Sequence, residues 1–184
     1  MRFEVGATGW VRQARCLESP NQDARPAGMP IELLVVHCIS LPRGSYGGPA
    51  VADLFANRLD TAAGGPFAEL AGLRVSSHFL IRRDGELLQF VACHRRAWHA
   101  GLSQWRERRR CNDFSIGVEL EGVDDGPFTA AQYLSLQVLQ AGLQQRYPLR
   151  AIQGHSDIAP GRKTDPGVGF DWTKAGQGLA RDIV

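Results

Sequence analysis

Apolar residues in this chain gather in short dense runs, with one longer stretch at helical spacing. Residues 33–39, Leu-Leu-Val-Val-His-Cys-Ile, and residues 114–120, Phe-Ser-Ile-Gly-Val-Glu-Leu, are too short for ordinary helices and read as buried strands. Residues 151–154 form a third, shorter strand. Residues 77–83 and 87–92 flank Asp84-Gly85, the dipeptide of a tight hairpin turn, and predict an antiparallel pair. The longest helix falls over 129–147, capped by Thr129 and stopped by Pro148. A shorter helix is expected over 51–59, carrying Leu54, Phe55 and Leu59, and a closing helix over 171–182, capped by Asp171 or Thr173.

Glycine and proline punctuate the rest. Residues 41–49 and 60–66 read as loops, and 97–111 as a long polar loop containing Trp98, His99 and Trp105. Residues 1–30 read as an irregular strap anchored by Trp10. Strands and helices alternate irregularly, which predicts an α/β single domain over residues 1–184, a mixed β-sheet flanked by helices.

Composition narrows the function. A chain of 184 residues holds one domain with a real core. Its net charge of +2, from 21 basic and 19 acidic residues, is too small for bulk attraction to nucleic acid or to a membrane surface, and neither is expected as a partner. The N-terminus has no apolar run of signal-peptide length, and no segment approaches the roughly 18 apolar residues of a membrane span, so the cytoplasm is the expected location. Cys16, Cys38, Cys93 and Cys111 are widely separated and read as free thiols.

The chemistry gathers at strand ends. His37 closes the stretch 31–37, and His155 follows Ile152-Gln153-Gly154. Asp165 comes ten positions after His155, in a stretch whose Pro160, Gly161, Pro166 and Gly167 let the chain fold back. Two imidazoles and a carboxylate suit catalytic zinc and leave a fourth position for water. Glu119 is a candidate proton shuttle, and Glu121 shares its strand face; the pattern does not rank them. Lys163 is a candidate for stabilising an oxyanion, and Arg74 and Arg162 for holding a substrate carboxylate. His78, His94 and His99 compete as ligands, and Trp98 is placed to line a groove. Cys38 as a nucleophile is disfavoured, because adjacent strand residues point to opposite faces and His37 is then badly placed as its base. Arg106, Arg108, Arg109 and Arg110 read as a solvated loop.

Several blocks resemble a known family. Leu-Val-Val-His at 34–37, Ile-Ser-Leu-Pro at 39–42, Arg-Ala-Trp-His-Ala-Gly at 96–101, Cys-Asn-Asp-Phe-Ser-Ile-Gly-Val-Glu-Leu-Glu-Gly at 111–122 and Ile-Ala-Pro-Gly-Arg-Lys-Thr-Asp-Pro-Gly at 158–167 are similar to AmpD-type amidases. These are the 1,6-anhydro-N-acetylmuramyl-L-alanine amidases of bacterial wall recycling, on the fold shared with peptidoglycan recognition proteins. The resemblance runs in order from Trp10 to Trp172.

It implies zinc held by His37, His155 and Asp165, with Glu119 as the catalytic carboxylate and Lys163 as the transition-state stabiliser. It demotes His78, His94 and His99 as ligands. It places Arg74, Arg162, Trp98 and Cys38 beside a small muropeptide substrate, and implies a link to β-lactamase induction. Relatives commonly carry Asn at Cys38, Glu at Gly161, and Cys or another small residue at Ser156. Two other readings share the fold: a peptidoglycan-binding module, and a broad wall-lytic amidase that would require export.

Overall fold

Ten strands and three helices lie within residues 2–176 and 178–182, the part described by this computed structural model. In chain order they are β1 (Arg15–Cys16), β2 (Gln22–Ala24), β3 (Leu33–Ile39), α1 (Ala50–Phe55), β4 (Phe79–Ile81), β5 (Leu87–Gln89), β6 (Arg95–Ala97), β7 (Gln104–Trp105), β8 (Arg108–Arg109), β9 (Ser115–Glu121), α2 (Ala130–Arg146), β10 (Ala151–Gly154) and α3 (His155–Ile158). The main sheet runs β1-β5-β4-β9-β3-β10, and every neighbouring pair is parallel except β4 with β5.

Its centre is buried on both faces, which is why β3 and β9 read as near-continuous apolar runs. Leu34 and Val36 of β3 and Ile116, Val118 and Leu120 of β9 face α2, where they pack with Leu136, Leu139 and Leu143. Burying one such leucine contributes roughly 1.5–3 kcal/mol. Helix α2 starts at a capping box: the Thr129 side chain accepts from Gln132 N, and the Gln132 side chain accepts from Thr129 N.

The opposite face carries Leu33 and Val35 against Phe114, Ala100 and Ile158, and farther along α1 against Leu80, Leu88 and Phe90. By alternation His37 and Glu119 belong to that opposite face, and they are register partners across β3 and β9. Gly154 pairs with Val36, so His155 follows one step beyond the end of β10, beside His37. The parallel strands thus deliver three chemical side chains to one carboxyl-terminal edge, where open α/β sheets commonly bind ligands.

Four segments depart from the sequence expectation. The N-terminal strap supplies β1 to the main sheet and β2 to a ribbon with β6, and Phe3 and Val11 are its buried hydrophobic residues, while Trp10 is half-buried. These short edge strands are too polar to show as apolar runs. Helix α1 ends at Phe55, because the chain turns through Asn57 at a φ of 57°. The polar loop at 97–111 contains the β7–β8 ribbon. In place of a closing helix there is a single helical turn, Trp172–Lys174, capped by Asp171, whose side chain accepts from Thr173 N. Gly176 and Gly178 follow at φ values of 116° and 94°, which no helix accommodates.

Candidate active site

Three side-chain atoms converge at the edge of β3 and β10. His37 Nδ1 lies 3.0 Å from His155 Nδ1 and 3.0 Å from Asp165 Oδ2, and His155 Nδ1 lies 3.1 Å from the same oxygen. Both histidines are buried and Asp165 is nearly so. Local structure explains how Asp165 arrives: Ser156 N donates to the Asp165 carbonyl at 2.9 Å, closing the loop that begins at α3. Gly154 leaves room for this return, since a Cβ there would meet Pro166 at 2.9 Å.

The convergence fits a metal ion. His155 Nε2 faces the Ala100 carbonyl at 3.2 Å, so its proton sits there and Nδ1 presents a lone pair. Asp165 is an acceptor as well, so the cluster gathers lone pairs with too few protons to separate them. Ligands about 2.0–2.1 Å from a tetrahedral zinc lie roughly 3.3 Å from one another, close to the spacing seen. No other such group of three occurs among the described residues. Burial pushes the His37 pKa down to about 4, against the opposing pull of Asp165, so the ring is neutral and able to ligate. Burial raises the Asp165 carboxyl, but hydrogen bonds with His155 and His37 outweigh it and hold it well below the usual range.

A cavity of about 310 Å³ opens over these atoms. Glu119, Lys163, Trp98 and Cys38 line it, together with an apolar wall that includes Leu41, Leu54, Leu70 and Val75. A second cavity of about 260 Å³ meets the first at Cys38 and Asp165, and Arg43, Asp124 and Thr164 line its outer side. Glu119 is 8% exposed, and its Oε2 has no hydrogen-bond partner among the described residues. Burial pushes its carboxyl well above the ordinary range, Asp165 adds to this, and Lys163 opposes it.

Glu121 is buried too but differs in its partners. Arg82 donates to it at 2.5 Å and Gly47 N at 2.8 Å. The two glutamates that the pattern left unranked are therefore separated by their partners: one is held in an ion pair, the other is presented to the cavity.

The remaining candidates divide. Cys38 is half-buried, and burial together with Glu119 and Asp165 pushes its thiol upward, away from the thiolate a nucleophile requires. Arg162 does not line this cavity; it donates to the Ala100 and Leu102 carbonyls, both at 2.7 Å. Arg74 is exposed and also outside the lining, although its neighbours Leu73 and Val75 belong to it. His78 is buried elsewhere, with Nδ1 accepting from Gly117 N at 3.0 Å. His94 lines a separate surface depression. His99 lines the same cavity as Glu119, and its Nδ1 lies 2.9 Å from His37 Nε2, the nitrogen turned away from the cluster. The apolar wall was not identified from the sequence as part of the site; the glycine-rich loops that carry Leu41 and lead to Leu70 were its signal.

Known proteins bear directly on this arrangement. The pattern of the N-acetylmuramoyl-L-alanine amidase family matches residues 27–168. The 1,6-anhydro-N-acetylmuramyl-L-alanine amidase AmpD of Escherichia coli (strain K12) is 53% identical over 168 residues, spanning 90% of this chain and 92% of the relative. A crystal structure of a selenomethionine AmpD derivative superposes with a TM-score of 0.87 at 50% identity, covering 91% of this chain and 95% of that one. The E. coli amidase AmiD, solved with the substrate anhydro-N-acetylmuramic acid-L-Ala-D-gamma-Glu-L-Lys, superposes with a TM-score of 0.58 at 32% identity, covering 81% of this chain and 58% of that one. Fold, sequence and relatives agree: the chain is an enzyme and belongs to the N-acetylmuramoyl-L-alanine amidase family.

Proposed function

We propose that this protein is a zinc-dependent amidase that cleaves the bond between 1,6-anhydro-N-acetylmuramic acid and L-alanine in small muropeptides of wall recycling. The observation that carries the reading is the convergence of His37, His155 and Asp165 beneath the unpaired carboxyl of Glu119. Identity of 53% to the E. coli enzyme named for that substrate supports the anhydro-sugar specificity. Zinc bound by His37 Nδ1, His155 Nδ1 and Asp165 would supply a Lewis acid for the lactyl carbonyl and a water acidified to near pH 7.

The chain's own groups do the rest. Glu119 faces the cavity and takes a proton from the attacking water, then returns it to the leaving amine of L-alanine. Its burial raises the carboxyl above the ordinary range, which strengthens it as a proton acceptor. Lys163 lines the same cavity and holds the negative charge that develops on the carbonyl oxygen. Trp98 and the apolar wall exclude water from one side of the scissile amide, and the second cavity leaves room on the other. Arg74, at the rim, meets the acidic stem peptide. Arg162 meets it by exchanging one carbonyl partner for a carboxylate.

The location is the cytoplasm, where the enzyme would lower the muropeptides that induce β-lactamase. No helix of the described residues is long and apolar enough to cross a membrane.

The test is release of stem peptide from anhydro-muropeptide by the purified protein, with polymeric peptidoglycan run in parallel, before and after chelation and with zinc restored. Zinc-dependent cleavage of the small substrate alone is expected. Equal cleavage of the polymer would make it a wall-lytic amidase. Binding without cleavage in the zinc-loaded protein would make it a binding module.

A further inference from the structure

We propose that the dipeptide His99–Ala100, clamped by Asn112, positions both histidine ligands from behind. The inference rests on His37 and His155 being those ligands. Each imidazole has one nitrogen in the cluster and one facing away from it. His37 Nε2 faces His99 Nδ1 at 2.9 Å, and His155 Nε2 faces the Ala100 carbonyl at 3.2 Å. Two consecutive residues therefore hold the far nitrogens of two ligands that are 118 positions apart in the chain.

The backbone of this dipeptide is itself fixed. Asn112 Oδ1 accepts from His99 N at 3.2 Å and from Ala100 N at 2.8 Å. The His99 ring lies directly on β9, where a Cβ on Gly117 would come within 2.5 Å of it. Any other residue at that point of the strand would displace the ring. A glycine inside a buried strand otherwise weakens it, so close approach is the compensating reason for this one.

Proton accounting gives His99 its task. One hydrogen occupies the 2.9 Å contact, and it belongs to one nitrogen or the other. When His37 Nε2 donates it, His37 Nδ1 is bare and available to a metal. His99 then carries its own proton on Nε2, which faces Ser115 Oγ at 3.1 Å, and the hydroxyl accepts. When His99 Nδ1 donates instead, a neutral His37 must carry its proton on Nδ1, inside the cluster. His99 and Ser115 thus accommodate the metal-ready tautomer, which a cation at His37 Nδ1 would select, as outer-sphere acceptors commonly do for histidine ligands. Ala100 performs the same service for His155 as an acceptor at 3.2 Å, with the Arg162 guanidinium farther off at 3.5 Å from the same nitrogen.

The experiment measures the zinc dissociation constant by competition with a chromophoric chelator. It compares wild type with His99→Phe, which keeps a ring and removes the acceptor, and His99→Asn, whose Oδ1 takes the place of Nδ1. His99→Phe is expected to weaken zinc binding by about 10- to 100-fold, and His99→Asn to recover most of the loss. The thermal midpoint of the metal-free proteins is expected to change little. Unchanged zinc affinity in His99→Phe overturns the proposal, as does equal weakening in both variants, which would mean a packing role alone.

Long-range nitrogen–proton NMR of zinc-loaded wild type decides the matter without any variant. His37 and His99 both protonated at Nε2 supports it; His99 protonated at Nδ1 overturns it. Failure of wild type to bind zinc at this site would overturn the ligand reading itself and this inference with it.

Discussion

Two buried histidine clusters lie side by side in this protein, and they are balanced in opposite ways. Around His78 every carbonyl acceptor has a donor, although Arg25 Nη2 also lies 3.0 Å from His78 Nε2, a nitrogen turned toward the Arg95 carbonyl. His78 Nδ1 accepts from Gly117 N at 3.0 Å, and its Nε2 lies 3.1 Å from the Arg95 carbonyl. Beside it the Arg25 guanidinium donates to the carbonyls of Cys93, Asn112, Asp113 and Ser115. Around His37 acceptors face acceptors, with His155 Nδ1 and Asp165 Oδ2 both about 3 Å from the His37 Nδ1. Burial and ring chemistry are alike in the two clusters, so neither distinguishes a ligand from a core residue. The surplus of lone pairs does, because buried polar groups are normally paired and an unbalanced set calls for a cation.

Breaking the unbalanced cluster has the largest expected effect. In Asp165→Ala, stem-peptide release falls below detection and zinc no longer co-purifies at one ion per chain. The folded metal-free protein loses no stability, since the substitution removes a crowded acceptor. Zinc at a thousand times its dissociation constant stabilises wild type by about 4 kcal/mol and the variant by nothing. Calorimetry with and without zinc reads this directly, and retained turnover in the variant would refute the ligand assignment.

Glu119 and Glu121 restate the contrast on one strand. Glu119→Gln is expected to lower kcat by about 10²- to 10⁴-fold while zinc binding persists. Glu121→Gln breaks the pair with Arg82 and weakens the bond from Gly47, which removes about 3 kcal/mol of stability. Its kcat stays near wild type in the fraction that remains folded. The reverse pattern, a silent Glu119→Gln and an inactive but stable Glu121→Gln, would exchange their roles.

The balanced cluster gives a smaller, purely structural effect. Arg25 is half-buried, and burial lowers its pKa to about 10, yet it remains charged and supplies five bonds to carbonyl oxygens. Arg25→Met leaves those carbonyls without donors and costs about 2–3 kcal/mol. Denaturant unfolding measures the loss. Zinc affinity, read separately in the folded protein, is expected to be unchanged. A variant as stable as wild type would show that water replaces the guanidinium there.

The sequence shows some of these distinctions and hides others for physical reasons. The strand Leu33–Ile39 was legible to the residue, because a strand buried on both faces has to be apolar throughout. Helix α2 was legible through Thr129 and Pro148, whose chemistry is local. The closing helix was misjudged because two glycines outweighed the cap at Asp171. At the site, residue types were visible at the strand ends, but partners were not. Nothing near Glu121 in the chain announces Arg82, 39 positions earlier, and nothing near His37 announces His99, 62 positions later. Pairing across such distances is a property of the sheet register, so the resemblance to known amidases ranked Glu119 and Glu121 where the pattern did not.

Cys38 tests the comparison at its finest scale, because it stands on the boundary between the two kinds of surroundings. One strand position from His37, it packs partly against the core on the α2 side and yet lines both cavities. A thiol is a weak donor, whereas an asparagine amide at this point would offer the substrate a full hydrogen bond. A single neutral hydrogen bond contributes about 1 kcal/mol. Cys38→Asn is therefore expected to lower KM roughly fivefold, with kcat and zinc affinity unchanged. Cys38→Ala separates the two effects of the side chain: it removes the thiol without adding a donor, and is expected to leave KM where it is. Steady-state kinetics on anhydro-muropeptide decides between them. If Asn and Ala behave alike, the side chain at 38 contributes packing alone, and the substrate takes its orientation from the far wall of the cavity.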